Sequence, residues 1–263
     1  MIQNFPLETS IAVITGTHSA GKSTLVGDFE QGKLSDLGLE NREYPDLGFG
    51  VIDTPTGERP LIIVPETARW YADELGRPDF LGENYNLPFQ LDIDFLAIDR
   101  VQAAVGSTGL VAAKLRELGK VSDTVQATLP IVLSDRSSFD GLIYSHERIS
   151  DQETDIIDGF ARAGFHAHWM RSFVNLVIIA DHTEVEFEHD ETRLDDATFR
   201  DTIAESMVRN YKKILPIDAI QFVIGNPEAR KAKVATLLGA MSSQDKAVRL
   251  GLPYADWPDV RIS

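Results

Sequence analysis

A chain of 263 residues, 43% hydrophobic and 25% charged, can bury the core of one large domain, which excludes a mostly disordered protein. Its formal charge of −16 repels polyanions and no basic tract interrupts the acidity, so nucleic acid and anionic membranes are not expected partners. The absence of cysteine rules out disulfides and thiolate metal sites.

Met1-Ile2-Gln3-Asn4-Phe5-Pro6 carries no basic segment leading into an apolar core, and no later run has the length of a membrane span. A cytoplasmic location is the expectation. Short apolar runs alternate with longer amphipathic stretches and no internal repeat is present. That alternation predicts an α/β fold of three layers, a mostly parallel sheet flanked by helices.

The spacing predicts a first strand over 11–15 and a helix over 22–29 with Leu25, Val26 and Phe29 on one side, ended by Gly32. Val51-Ile52-Asp53 and Leu61-Ile62-Ile63-Val64 flank a Pro/Gly turn at 54–57 and read as a hairpin. Pro65 stops the second run, and a helix-like stretch follows over 67–75. Pro88 opens a helix in which Phe89, Ile93, Leu96, Ala97, Val101 and Ala104 recur at helical spacing. Asp92, Asp94 and Asp99 take other faces and read as solvated surface.

Pro130-Ile131-Val132-Leu133-Ser134 is a further strand that delivers Asp135 and Arg136 to its C-terminal end. Ser150-Asp151-Gln152-Glu153 has a capping-box pattern opening a helix toward Trp169. The run 176–180 is another strand, ending at Asp181. Asp195 or Asp196 caps a helix carrying Phe199, Ile203, Met207 and Tyr211; a strand over 221–224 and a helix after Pro227 follow. Beyond about residue 241 the periodicity fades, and 251–263 reads as an arm packed through Leu252, Tyr254 and Trp257.

Between the first strand and first helix stands Gly16-Thr17-His18-Ser19-Ala20-Gly21-Lys22-Ser23, which fits G-x-x-x-x-G-K-[ST] in the strand-to-helix context that motif requires. The glycines let backbone N–H groups curl around phosphates, Lys22 reaches the β/γ-phosphates, and the Ser23 hydroxyl can ligate magnesium. A chance glycine-rich turn is the competing reading. His18 reads as a variable loop residue rather than a catalyst.

Asp135, closing an apolar strand, is a candidate to hold magnesium or its water beside such a loop, with Arg136 near phosphate; a turn-capping Asp is the alternative. Glu66 has the same placement and could orient or deprotonate an acceptor hydroxyl, or simply open a helix. Arg193 and Arg200 fall in a polar stretch suited to a lid closing over phosphates, with surface ion pairs as the competing explanation. Gly225-Asn226-Pro227 offers a loop for a purine ring, or a plain helix entry.

Other features carry less. His166 and His168 stand two apart on a predicted helix and do not share a face, which argues against zinc. Asp73-Glu74-Leu75-Gly76 and Asp79-Phe80-Leu81-Gly82 have the spacing of a GTPase switch motif, yet neither closes an apolar strand. No Asn-Lys-x-Asp string occurs, which weighs against a Ras-like GTPase. GTP stays open beside ATP because the loop reads phosphates and not the base.

The ordered set of Gly16 to Ser23 with Thr24, then Val64-Pro65-Glu66-Thr67-Ala68-Arg69, then Ser134-Asp135-Arg136-Ser137-Ser138-Phe139-Asp140 resembles the P-loop ATPase/kinase group related to nicotinamide riboside kinase domains. Asp190-Glu191-Thr192-Arg193 and Ile224-Gly225-Asn226-Pro227-Glu228-Ala229-Arg230 are similar to that group's lid and final strand-loop-helix. The resemblance implies a nucleoside- or nucleotide-kinase-like P-loop fold over 1–241, a lid at about 182–200, ATP as donor, Asp135 near magnesium, and Glu66 or Arg69 facing the acceptor. Asp135-Arg136-Ser137 also resembles a deoxynucleoside kinase motif. A hairpin insertion at about 41–60 and the arm at 242–263 have no counterpart in the group.

The expected function is therefore an ATP- and magnesium-dependent small-molecule kinase acting on a nucleoside- or nucleotide-like acceptor. Lys22, Glu66, Asp135 and Arg193 would carry the chemistry, and Asn226 would contact the base. The rivals are a P-loop ATPase without a small acceptor and a regulatory ATP- or GTP-binding module.

Overall fold

The computed structural model describes residues 9–17, 20–54, 57–77, 86–122, 130–148, 161–183 and 197–241. Ser10–Thr15 (β1), Ile131–Asp135 (β5) and Leu176–Ala180 (β6) are buried along their whole length, as strands covered on both faces must be. With Gly32–Lys33 (β2), Gly48–Thr54 (β3), Gly57–Val64 (β4) and Ile220–Val223 (β7) they form one sheet in the order β2-β3-β4-β5-β1-β6-β7. From β4 to β7 all neighbours are parallel. β3 runs antiparallel to β2 and to β4, its pairing with β4 extending from Gly48 opposite Ile63 to Thr54 opposite Gly57.

Alternate residues of each strand enter opposite layers, as a pleated strand requires. Ile11, Val13, Ile62, Val64, Val132, Val177 and Ile179 face one core, and Ala12, Ile14, Leu61, Ile63, Leu133, Ile178 and Ala180 face the other. The first core is covered by Leu87–Glu117 (α3), Ser138–Arg148 (α4), Ala161–Phe173 (α5) and Ala197–Ile214 (α6). The second is covered by Lys22–Gly27 (α1) and Pro227–Ala240 (α7). Thr67–Glu74 (α2) packs Ala72 against Phe89 and Ile93 of α3. The three-layer α/β architecture expected from the alternation is present.

Several local expectations shift. The first helix ends at Gly27 rather than at 29, and Gly32 opens β2 instead of terminating that helix. Helix α4 is an addition to the expected elements, although Phe139, Leu142 and Ile143, all buried, recur at helical spacing. Asp94 is not solvated surface: it is buried, accepts from Gln90 Nε2 at 2.7 Å, and lies so close to Gly141 of α4 that a Cβ there would stand 1.8 Å from Oδ1. The cause is α4, which covers α3 on an arc outside its apolar stripe. Asp92 and Asp99 are exposed as expected. The capping box at 150–153, Asp195, Asp196, most of 182–200 and the arm at 242–263 lie outside the described residues. Among the described residues no helix is long and apolar enough to cross a membrane.

The segment between β2 and β3 is tied to α3 by charge. Arg100, fully buried, donates through Nη2 to Asp46, and its guanidinium carbon sits 4.9 Å from the Trp70 ring centre and 5.9 Å from that of Tyr44. Burial, with Glu43 and Asp99 nearby, pushes the Tyr44 phenol up to about 12, so the ring stays neutral. Removing one member of a pair of this kind strands the other charge in the interior. Asp46→Ala should lower stability by on the order of 3 kcal/mol in denaturant titration, whereas the exposed Asp53→Ala should stay within about 0.5 kcal/mol.

Candidate active site

The parallel strands deliver their C-terminal ends to one edge, and β1 runs directly into the loop 16–21. Gly16 has φ 145°, and a Cβ on it would lie 2.7 Å from the Ala180 carbonyl oxygen, so no side chain fits where the loop leaves the sheet. Gly21 precedes α1 in the left-handed region and no side chain caps that helix. Lys22 is buried, and its ammonium donates to the Thr17 carbonyl of its own loop. Ser23 and Thr24 are exposed. His18 and Ser19 lie outside the described residues.

The end of β5 meets this loop. Ser23 Oγ donates to Asp135 Oδ2 at 2.6 Å, while the buried Oδ1 of Asp135 has no hydrogen-bond partner. Burial and the neighbouring Glu66 carboxylate raise the Asp135 pKa above its ordinary value, against Lys22, Arg136 and the Ser23 hydroxyl, which lower it. An orphaned, dry carboxylate oxygen beside a hydroxyl is the donor pair that a hard divalent cation completes.

Arg136 follows with φ 77°, a strained conformation for a non-glycine residue. Its N–H bonds to the Ile14 carbonyl at 2.9 Å and its own carbonyl accepts from Ser134 Oγ at 2.8 Å, which holds the turn. The turn aims the guanidinium at Glu66 Oε1 (2.8 Å), at the Gly16 carbonyl (3.2 Å) and over the Tyr144 ring (5.1 Å). Burial acts to lower the Arg136 pKa, but Tyr144, Glu66, Asp140 and Asp135 outweigh it and hold the group well above its usual value. Arg136 is thus a permanent cation linking Glu66 to the base of the loop.

A buried polar cluster lies beneath. Asp140, in the first turn of α4, accepts from Thr15 Oγ1 at 2.7 Å and from the Tyr211 hydroxyl at 2.5 Å, and Ser137 Oγ contacts the same hydroxyl at 2.6 Å. Burial and Asp140 drive the Tyr211 pKa well above its ordinary value. Asp140 and Tyr144 had no role in the sequence reading, and Tyr211 figured only as an apolar-face residue of its helix. The contacts that join Asp140 to Tyr211 and Thr15 span 71 and 125 positions, too far for local spacing to reveal, although Asp140 also bonds to Ser137 and Tyr144 to Arg136 nearby.

The structure thus brings Lys22, Ser23, Glu66, Asp135 and Arg136 together. Arg69 is exposed on α2. Asn226 is exposed and uses its side-chain oxygen to cap α7, accepting from the Ala229 N–H at 2.9 Å. Arg193 lies outside the described residues, and Arg200 is half-buried on α6. Asp73 sits within α2, not at a strand end. Beside Gly16 and Thr17 opens a cavity of about 510 Å³ between the end of β6 and α6, lined among others by Ile179, Met207, Arg209, Lys212 and Phe222. No group of three or more His, Cys, Asp or Glu suited to a metal occurs among the described residues; His166 is buried and His168 exposed.

No family model and no curated protein matches the chain. Among solved structures it is similar to the NadR protein in complex with NAD and AMP-PNP, at 12% identity and a TM-score of 0.51, over 86% of this chain and 48% of that one. A second NadR structure, in complex with NR, matches at 15% identity and a TM-score of 0.45, over 93% and 52% of the two chains. Thymidylate kinase from Candida albicans matches at 14% identity and a TM-score of 0.41, over 86% and 89%. The chain spans about half the length of the NadR chains. The likeness is one of fold: a mostly parallel seven-stranded sheet with helices on both faces.

A carboxyl whose folded pKa is raised contributes stability that is fully present below its unfolded value of about 3.9 and is lost as pH rises through the raised value. Asp135→Asn removes that loss. In metal-free buffer the variant should unfold at higher denaturant than the parent at pH 7, with the two midpoints converging toward about pH 4. A variant less stable than the parent at pH 7 would contradict the charge environment described for Asp135.

Proposed function

We propose that the chain is a magnesium-dependent phosphotransferase moving the γ-phosphoryl of ATP to a hydroxyl or phosphate of a nucleoside- or nucleotide-like acceptor. The reading rests chiefly on one observation: at the mouth of the P-loop, Ser23 Oγ and Asp135 meet at 2.6 Å while Asp135 Oδ1 keeps a buried, unshared lone pair. Ser23 and Asp135 would hold the cation. When bound, magnesium supplies neutralising charge at the phosphate oxygens.

The rest of the chemistry belongs to the chain. Lys22 leaves the Thr17 carbonyl for the β/γ-phosphates, and the backbone of Gly16, Thr17, His18, Ser19, Ala20 and Gly21, with Ser23 and Thr24, cradles them. Glu66, held by Arg136, receives or orients the acceptor's proton, and Arg69 on α2 adds a cation on that side. Arg193, from the lid at about 182–200, offsets charge on the transferring group, and the loop at Asn226 meets the base. Residues 1–241 form the kinase-like unit in this reading, with an insertion at about 41–60 and an arm at 242–263. GTP is a compatible donor. The likeness of fold to a protein solved with NAD and AMP-PNP agrees in kind with a nucleotide ligand.

The test is a magnesium-dependent consumption screen with ATP and GTP, run with and without nucleosides, nucleotides and other hydroxyl acceptors. Transfer to one acceptor class is the expected outcome. Acceptor-independent turnover that survives Glu66→Gln would make the protein an ATPase, and tight binding without turnover would make it a regulatory module.

Two variants sharpen the roles. Lys22→Ala should lower phosphoryl transfer by about 10²–10³-fold while the circular dichroism spectrum stays that of the parent. Glu66→Gln should lower kcat by about 10²–10⁴-fold with a small change in the KM for ATP; equal kcat in both proteins would remove Glu66 from proton transfer.

A further inference from the structure

Arg230 lies in the first turn of α7, buried, more than two hundred positions from the P-loop in sequence. Its guanidinium donates to three backbone carbonyls at three strand-end loops. Nη1 bonds to Ala20 of the P-loop at 2.9 Å, Nε to Gly225 after β7 at 2.6 Å, and Nη2 to Asp181 after β6. A rigid fork of donors can satisfy all three at once, which a lysine cannot.

The Ala20 contact has a geometric consequence. No cis peptide bond occurs among the described residues, and across a trans peptide plane the carbonyl of one residue and the N–H of the next point in opposite directions. With the Ala20 carbonyl held against Arg230, the Gly21 N–H is directed to the other side of that plane. Gly21 stands at φ 70°, a conformation glycine leaves as easily as it enters, so the peptide between Ala20 and Gly21 has little intrinsic resistance to flipping. An external clamp on the carbonyl is what fixes it.

We propose that Arg230 is a positioning residue for phosphate binding: by clamping the Ala20 carbonyl it aims the Gly21 N–H at the nucleotide's phosphates. The same guanidinium joins the ends of β6 and β7 to the loop, so the phosphate cradle and the neighbouring strand ends keep one mutual arrangement. This inference rests on the phosphotransferase reading.

The experiment compares the parent with Arg230→Met and Arg230→Lys in three readouts. These are AMP-PNP affinity with magnesium by calorimetry, the response of the Gly21 amide resonance to AMP-PNP, and the denaturant midpoint. The expectation is an affinity about tenfold weaker in Arg230→Met, measured well below its unfolding transition, with a diminished Gly21 shift. Arg230→Lys, which keeps the charge but not the fork, should fall between; if Arg230→Met fails to fold, Arg230→Lys alone must show a weakened affinity and shift. In Arg230→Ala, millimolar guanidinium should restore affinity toward that of the parent. A purely structural role would lower the denaturant midpoint yet leave affinity and the Gly21 response of the folded variants unchanged, and that result overturns the proposal. If the parent itself binds no nucleoside triphosphate, the phosphotransferase reading falls and this inference with it; a binding parent with equally binding variants sinks the inference alone.

Discussion

Buried charge at one end of the sheet is the constraint from which the site's geometry follows. Glu66, Asp135 and Asp140 are all buried within reach of Lys22 and Arg136, where an uncompensated ion would cost several kcal/mol. Compensation is uneven. Arg136 takes Glu66 directly, Asp140 is satisfied by hydroxyls from Thr15, Ser137 and Tyr211, and Asp135 receives one hydroxyl for two oxygens. The deficit therefore concentrates on Asp135, where the chemistry of a cation would be of most use. The turn with the strained φ of Arg136 is the one from which the guanidinium reaches back to Glu66 and the Gly16 carbonyl.

Much of this was legible in the sequence where the signal is local. The P-loop motif is a contiguous string, and Asp135 and Glu66 could be placed because the first ends an apolar strand and the second closely follows one. The hairpin of β3 and β4 was visible in its two β-branched runs and the turn between them, although pairing extends to Gly48 through residues with no alternating pattern. What escaped was relational. Asp94 looked like a surface acid because helical periodicity knows one apolar stripe, and only the crossing of α4 buries the other side. Tyr211 reads as one more residue of an apolar helix face, while Asp140 and Arg230 stand in the sequence only as members of longer motif strings. Their roles arise from which carbonyls and hydroxyls lie opposite after folding, and no spacing rule contains that information.

The polar cluster under the loop also joins parts of the chain that the topology keeps apart. Thr15 is the last residue of β1, Asp140 opens α4, and Tyr211 comes from the helix that follows the 184–196 segment. A fully satisfied buried network of this kind favours one arrangement over near alternatives, because any slip leaves a dry hydroxyl or carboxylate without a partner. Helix α6 is thereby registered against the strand that feeds the P-loop. Movement of α6 as a rigid body would have to break the Tyr211 contacts to Asp140 and Ser137.

The bond from Lys22 to the Thr17 carbonyl has a meaning for how an anion arrives. A lysine left waving in water would have to be desolvated and immobilised when a ligand came, and the lost rotamer freedom would weaken binding. Here the ammonium is already dry and already fixed, on a carbonyl oxygen of its own loop. Entry of an anion is then an exchange of one acceptor for a more negative one. The loop holds its lysine through its own backbone, and any anion drawn to the ammonium would have to displace the Thr17 carbonyl.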